Sequence, residues 1–187
     1  MIDGPGASDG SQIQSVELDL TDVTYPELVR VLAYWHRQRG DRFAPRRADI
    51  DPADLVESLA RITLSDVFRD AAGEPDFRYR LCGTAICTTH WRDPTHQRPR
   101  DMLPPAYGAL LHAHYTEAVA RRQPMLHLLL LSTRERERSY ARLLLPLSED
   151  GTTVTMLMTV DSKQQDDPAL RDYFYAVTQG RPDSGDS

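Results

Sequence analysis

Cysteine is scarce in this chain: Cys82 and Cys87 are the whole supply among 187 residues. Two thiols at that spacing cannot staple a small secreted domain, so a reducing compartment, the cytoplasm, is expected. Lysine is scarcer still, with Lys163 alone, so arginine carries the positive charge. A net charge of -6 and the lack of a long basic run argue against a nucleic-acid partner. The longest apolar run, Met125 to Leu131, is interrupted by His127 and is far too short to span a membrane. The opening MIDGPGASDGSQIQ lacks a basic region followed by an apolar core, so no signal peptide is expected. Catalytic signatures are missing as well. There is no GxSxG elbow, no phosphate-cradling glycine loop, no HExxH and no CxxC, so the chain reads as a non-enzyme.

What is present is a real core. Hydrophobic residues make up 40% of the chain and charged residues 27%, the balance of an ordinary soluble domain. Residues 1–23 are polar and Gly-rich and are expected to be disordered or extended. A helix is predicted from Thr24 to Gly40, where Leu28, Val31, Leu32 and Trp35 fall at i, i+3, i+4 and i+7. Asp51-Pro52 has the signals of a short helix start, with Leu55 and Leu59 inward.

Two strands then pair as a hairpin, Arg61–Phe68 and Phe77–Cys82, across the turn-rich segment Asp70–Asp76. In the second, Phe77, Tyr79 and Leu81 are expected on one face. Gly83 breaks that strand and Thr84 starts a short helix running to Trp91. A long helix follows over Ala106–Arg122, with Tyr107, Leu110, Leu111, His114 and Ala118 in one stripe. Three strands complete the core: Pro124–Ser132, Arg138–Leu147 and Thr153–Asp161. A charged RERER turn and an Asp150-Gly151 hairpin connect them. Alternation puts Ala141, Leu143, Leu145 and Leu147 on one face of the middle strand and Tyr140, Arg142 and Leu144 on the other. A last helix is predicted at Pro168–Gln179, with a tail beyond it.

The order is that of an α+β domain: helix, two strands, short helices, long helix, three strands. The blocks Leu32-Ala-Tyr-Trp35, Phe77-Arg-Tyr-Arg-Leu-Cys-Gly-Thr84, Trp91-Arg-Asp-Pro-Thr95 and Leu143-Leu-Leu-Pro-Leu-Ser148 carry a closer likeness. In that order and spacing the chain resembles a family of single-domain PAS proteins of alphaproteobacteria, over roughly residues 25 to 160. The resemblance implies a five-stranded antiparallel sheet with helices on one face, an N-terminal flanking helix and a small pocket. The domain would then cover residues 24–161, with residues 162–187 as a C-terminal helix and tail. It also implies a sensory or interaction role in signalling. Family members often carry a small residue and a glycine where this chain has His90-Trp91.

Pocket candidates are Tyr79, Leu81, Cys87, His90, Trp91, His114, Leu143 and Met156, because their elements should face one another. Cys87 and His90 share a helix face and invite a metal or haem reading, but packing thiols and a pocket-rim histidine account for them more simply. No flavin-type cysteine motif is present, and the sequence names no cofactor. His112 and His114 point to different faces and cannot chelate together. Arg134, Arg136 and Arg138 alternate with glutamates as a charged sheet edge. Leu28, Val31, Leu32 and Trp35 form either a docking stripe or the interface of a homodimer. No effector motif follows the domain, so a signalling partner in trans is expected, with a small molecule as possible ligand. A pure dimerisation module and a small-pocket isomerase-like enzyme are the alternatives.

Overall fold

The computed structural model describes residues 12–22, 24–132 and 137–179. Ten principal elements appear in chain order. They are β1 (Gln12–Leu18), α1 (Pro26–Arg39), β2 (Ile62–Arg69), β3 (Pro75–Cys82), α2 (Thr84–Thr89), α3 (Pro105–Arg121), β4 (Met125–Ser132), β5 (Glu137–Leu147), β6 (Met156–Asp161) and α4 (Pro168–Gln179). The strands form one antiparallel sheet in the order β1-β4-β5-β6-β2-β3.

The sheet is one strand larger than the sequence suggests. β1 falls inside the segment expected to be disordered or extended and pairs along β4 from Gln12↔Ser132 to Leu18↔Leu126. Its polar residues sit at the sheet's edge, where exposed Gln12, Gln14 and Glu17 cost nothing. Ile13 packs against the cluster on one face and Leu18 against the cluster on the other. The Asp51 start signal is real, since its side chain accepts from Ala53 N–H at 2.9 Å. The segment nevertheless forms two 3-10 turns, Pro52–Leu55 and Leu59–Arg61, instead of an α-helix. At the start of α1 the cap position is Tyr25, and no side chain caps it. Residues 134–136 of the RERER turn lie outside the described residues, while Glu137 and Arg138 open β5.

Both sheet faces are covered, not one. On the outer face, α1 and the segment after it meet Ile62, Leu64, Leu126, Ala141, Leu143, Leu145, Leu147, Met156, Met158 and Val160. On the inner face, α3 and α4 meet Phe77, Tyr79, Met125, Leu129, Leu131, Tyr140, Leu144 and Leu157. Strand alternation sorts successive side chains between the two cores, as in Leu143 outward and Leu144 inward.

One β-bulge changes that sorting. The β2–β3 register runs Leu64↔Leu81 and then Ser65↔Tyr79, which leaves Arg80 as the extra residue. Tyr79 therefore faces inward while Leu81 turns outward, against strict alternation. Gly83 follows immediately, and any Cβ there would lie 2.4 Å from the Ala60 carbonyl oxygen. Glycine is what allows β3 to pass that close and enter α2 directly. No helix among the described residues is long and apolar enough to cross a membrane.

The α1 stripe is settled by packing. Leu28, Val31 and Trp35 are almost wholly buried against their own sheet, and Leu32 is partly buried there. Trp35 Nε1–H donates to the Pro146 carbonyl at 2.8 Å. In this chain the stripe docks in cis, because the sheet's outer face is apolar and Leu28, Val31 and Trp35 bury themselves on it.

Candidate ligand centre

The inner core contains a charge, which a purely structural core avoids. Arg142, on β5, and Asp161, on β6, are register partners that both face inward. Arg142 Nε donates to Asp161 Oδ1 at 2.6 Å and Nη2 to Oδ2 at 2.8 Å, a fork with side chains only 3% and 1% exposed. Nη2 also donates to the hydroxyls of Tyr107 at 3.2 Å and Tyr140 at 3.3 Å, and those hydroxyls lie 2.7 Å apart. Nη1 is buried and finds no protein partner among the described residues.

Burial works against the Arg142 charge, and Asp161 with the two tyrosines overrides it, holding the guanidinium protonated well beyond its usual range. Burial pushes the Tyr79 and Tyr140 hydroxyls well above ordinary phenol values and raises Tyr107 as well. None of the three can supply a phenolate base. His90 ends α2 against this centre, with its ring 5.5 Å from Tyr107 and 4.2 Å from Phe174 of α4. Burial, then Arg142 and Arg92, push His90 down to about 3, so it is neutral at physiological pH. The arrangement is a buried hydrogen-bonding network walled by aromatic rings.

The predicted pocket residues divide. Tyr79 and His90 belong to this centre. Leu143 and Met156 lie in the opposite core, because their strand positions point to the outer face. Leu81 is 45% exposed and lines an outer groove of about 370 Å³ with Leu55, Leu59 and Leu64. Trp91 is turned away at the surface by a positive φ of 56° and packs on α4. Cys87 Sγ lies 3.7 Å from the Cys82 carbonyl oxygen. Burial raises both thiols, Cys82 to about 12, so neither is a ready thiolate.

His114 occupies a second polar spot. It stacks on His127 at 3.7 Å and 10°, and its Nε2 lies 2.8 Å from Ser15 Oγ on β1. Parallel rings direct their lone pairs along parallel planes, so the pair cannot converge on one ion. Burial, then His127 and Arg142, push His114 down to about 3. No group of three or more His, Cys, Asp or Glu among the described residues could hold a metal ion.

Strand alternation in the sequence sets Arg142 on the face opposite Leu143, and Arg142 is not among the expected site residues. An arginine inside the run Ala-Arg-Leu-Leu-Leu, on a strand buried on both faces, was the available signal. Its pairing with Asp161 depends on the β5–β6 register. Asp76 is a further buried acid, tied to Phe77 N–H at 2.8 Å, Arg98 at 2.9 Å and Arg100 at 2.6 Å. It fastens β3 to the segment before α3.

This combination, an antiparallel sheet crossed by a long helix over a polar inner face, defines an α+β sensory-type fold. The chain matches the PAS domain over residues 23–160 and belongs to that family. Among solved structures it is similar to one described as an RNA-binding Light-Oxygen-Voltage receptor, at 12% identity and a TM-score of 0.44. That match covers 90% of this chain and 43% of the receptor chain, so this chain spans less than half the receptor's length. Curated proteins yield no match.

Proposed function

We propose that this PAS domain is a sensory and protein-interaction module of cytoplasmic signalling that acts on a partner in trans. A small ligand would bind at the Arg142 centre and bias the helices packed over it. The observation that carries the reading is the buried guanidinium with an unpartnered Nη1. A fold kept for stability alone gains little from a buried ion pair, since apolar replacements serve as well or better. At the centre the tyrosine hydroxyls are held protonated and the Asp161 carboxylate is engaged by Arg142, which favours the sensory reading over the isomerase-like alternative.

The test is native mass spectrometry of the purified protein, with an absorption spectrum. A small molecule retained natively and released on denaturation, and lost in Arg142→Met/Asp161→Leu, is the expected result. A protein that carries no added mass, and whose melting temperature does not respond to any fraction of a small-molecule extract, would overturn the ligand reading. The interaction-only alternative would then stand.

A further inference from the structure

α4 lies beyond the matched residues 23–160, yet it closes the centre. Its stripe Leu170, Tyr173, Phe174 and Val177 follows i, i+3, i+4, i+7 and docks on the inner core. Leu170 and Phe174 are its most buried residues, 0% and 1% exposed. The Phe174 ring sits 4.2 Å from His90 and 5.1 Å from Tyr107, two rings that border the Arg142 network. A benzene-sized group of this chain's own thus fills the position between α2 and α3.

The helix is held differently at its base and along its length. The segment before it is pinned: Ser162 N–H donates to Ala141 O at 2.8 Å, Ala141 N–H donates back to Ser162 Oγ at 3.0 Å, and Arg61 pairs with Asp166 at 2.9 Å. Pro168 then opens the helix. Beyond it the outer fastenings are surface contacts. Trp91 Nε1–H donates to Arg171 O at 2.9 Å, the Arg171 guanidinium lies 4.0 Å over the Trp91 ring, and Trp91 meets Tyr175 at 4.8 Å. Trp91 and Tyr175 are each 45% exposed. Such a helix can lift while its base stays fixed.

We infer that Phe174 is a built-in occupant of the ligand position, and that α4 is a lid displaced when a flat aromatic solute bearing a neutral hydrogen-bond acceptor takes its place. The rings of His90 and Tyr107 supply the flat walls, and Arg142 Nη1 supplies the unmatched donor. Asp161 already balances the Arg142 charge, so a neutral acceptor fits better than a carboxylate, which would face Asp161 unpaired. Lifting α4 uncovers the apolar stripe it shares with the domain, and that exposure is the signal a partner reads. The inference rests on the ligand reading above.

Benzamide, with a flat ring and a neutral carbonyl, is the probe, and benzoate is its charged counterpart. In hydrogen exchange of the wild-type chain, the α4 amides exchange about tenfold or more faster than those of β5, as sub-global opening requires. Benzamide speeds α4 exchange further and leaves β5 unchanged. Phe174→Ala, with the internal competitor gone, binds benzamide more tightly than wild type by calorimetry, and benzoate does not gain. The lid is overturned if α4 exchanges in step with β5, or if benzamide leaves α4 unchanged. Equal gains for benzoate would overturn the neutral-acceptor assignment. If Phe174→Ala does not fold, the wild-type exchange decides. A co-purified ligand on a chain whose α4 never opens alone keeps the sensor reading and removes the lid; an opening α4 on a ligand-free chain does the reverse.

Discussion

The two faces of one sheet are built to different rules. The outer face, under α1, is aliphatic and closed by Trp35, and no charged side chain is buried among its strand residues. The inner face, under α3 and α4, mixes rings with a guanidinium, a carboxylate, five buried tyrosines and buried histidines. Successive residues of β5 serve both faces. The first face needs only volume and burial to be right. The second also requires hydrogen bonds to be met in a dry interior, a demand that a sheet held together by packing alone would not impose. Under the proposed function, the outer face carries the fold's stability and the inner face its response.

The largest expected effects separate the faces by mechanism, not by size. Trp35→Ala leaves a cavity on the outer face, and Arg142→Ala leaves Asp161 buried and unpaired on the inner one. Each costs about 3–5 kcal/mol in urea unfolding. Only the second is relieved by removing a further residue, Asp161; a relief of Trp35→Ala by any such deletion would break the comparison.

The response to acid comes next, and its largest histidine shifts lie on the inner face. His90 and His114 are pushed down to about 3, against 6.5 when unfolded. Between those values the unfolded chain binds more protons, so stability is complete above pH 6.5 and is lost as pH falls toward 3. Each histidine removes about 1.4 kcal/mol between pH 7.5 and 5.5, and the slope steepens to about 1.4 kcal/mol per pH unit below that. Unfolding free energies at pH 7.5 and 5.5 measure it. His114→Gln lowers the slope if the account holds, and an unchanged slope would count against it.

Smaller effects refine the picture. Tyr107→Phe removes one hydroxyl from the network and costs about 1 kcal/mol. Leu81→Ser, at an exposed outer position, stays within about 0.5 kcal/mol. A cost for Leu81 as large as that for Tyr107 would mean the outer groove matters to the fold in a way its exposure does not suggest.

The outer face was the more legible of the two in the sequence. The helical spacing of Leu28, Val31 and Trp35 and the alternation of Ala141, Leu143 and Leu145 are periodic apolar signals, and burial follows them directly. Residues 168–179 were likewise readable from Leu170, Tyr173, Phe174 and Val177. β1 was hidden because an edge strand tolerates glutamine and serine where a central strand would not. Leu81 was assigned to the wrong face because the bulge at Arg80 breaks strict alternation. Leu143 and Met156 were placed in the pocket on element adjacency, which does not fix the face. The Arg142–Asp161 fork was out of reach because two residues nineteen apart in sequence meet only through the β5–β6 register.

The central claim is that the inner charges serve response and not the fold's stability. The unfolding free energy of Arg142→Met/Asp161→Leu, set beside that of Arg142→Ala, tests it most directly. The double variant should fold within about 1 kcal/mol of wild type or above it, since a buried ion pair is replaceable by apolar groups of similar volume. A loss of about 3–5 kcal/mol, matching the single variant, would show that the ion pair itself holds the domain together and would contradict the account.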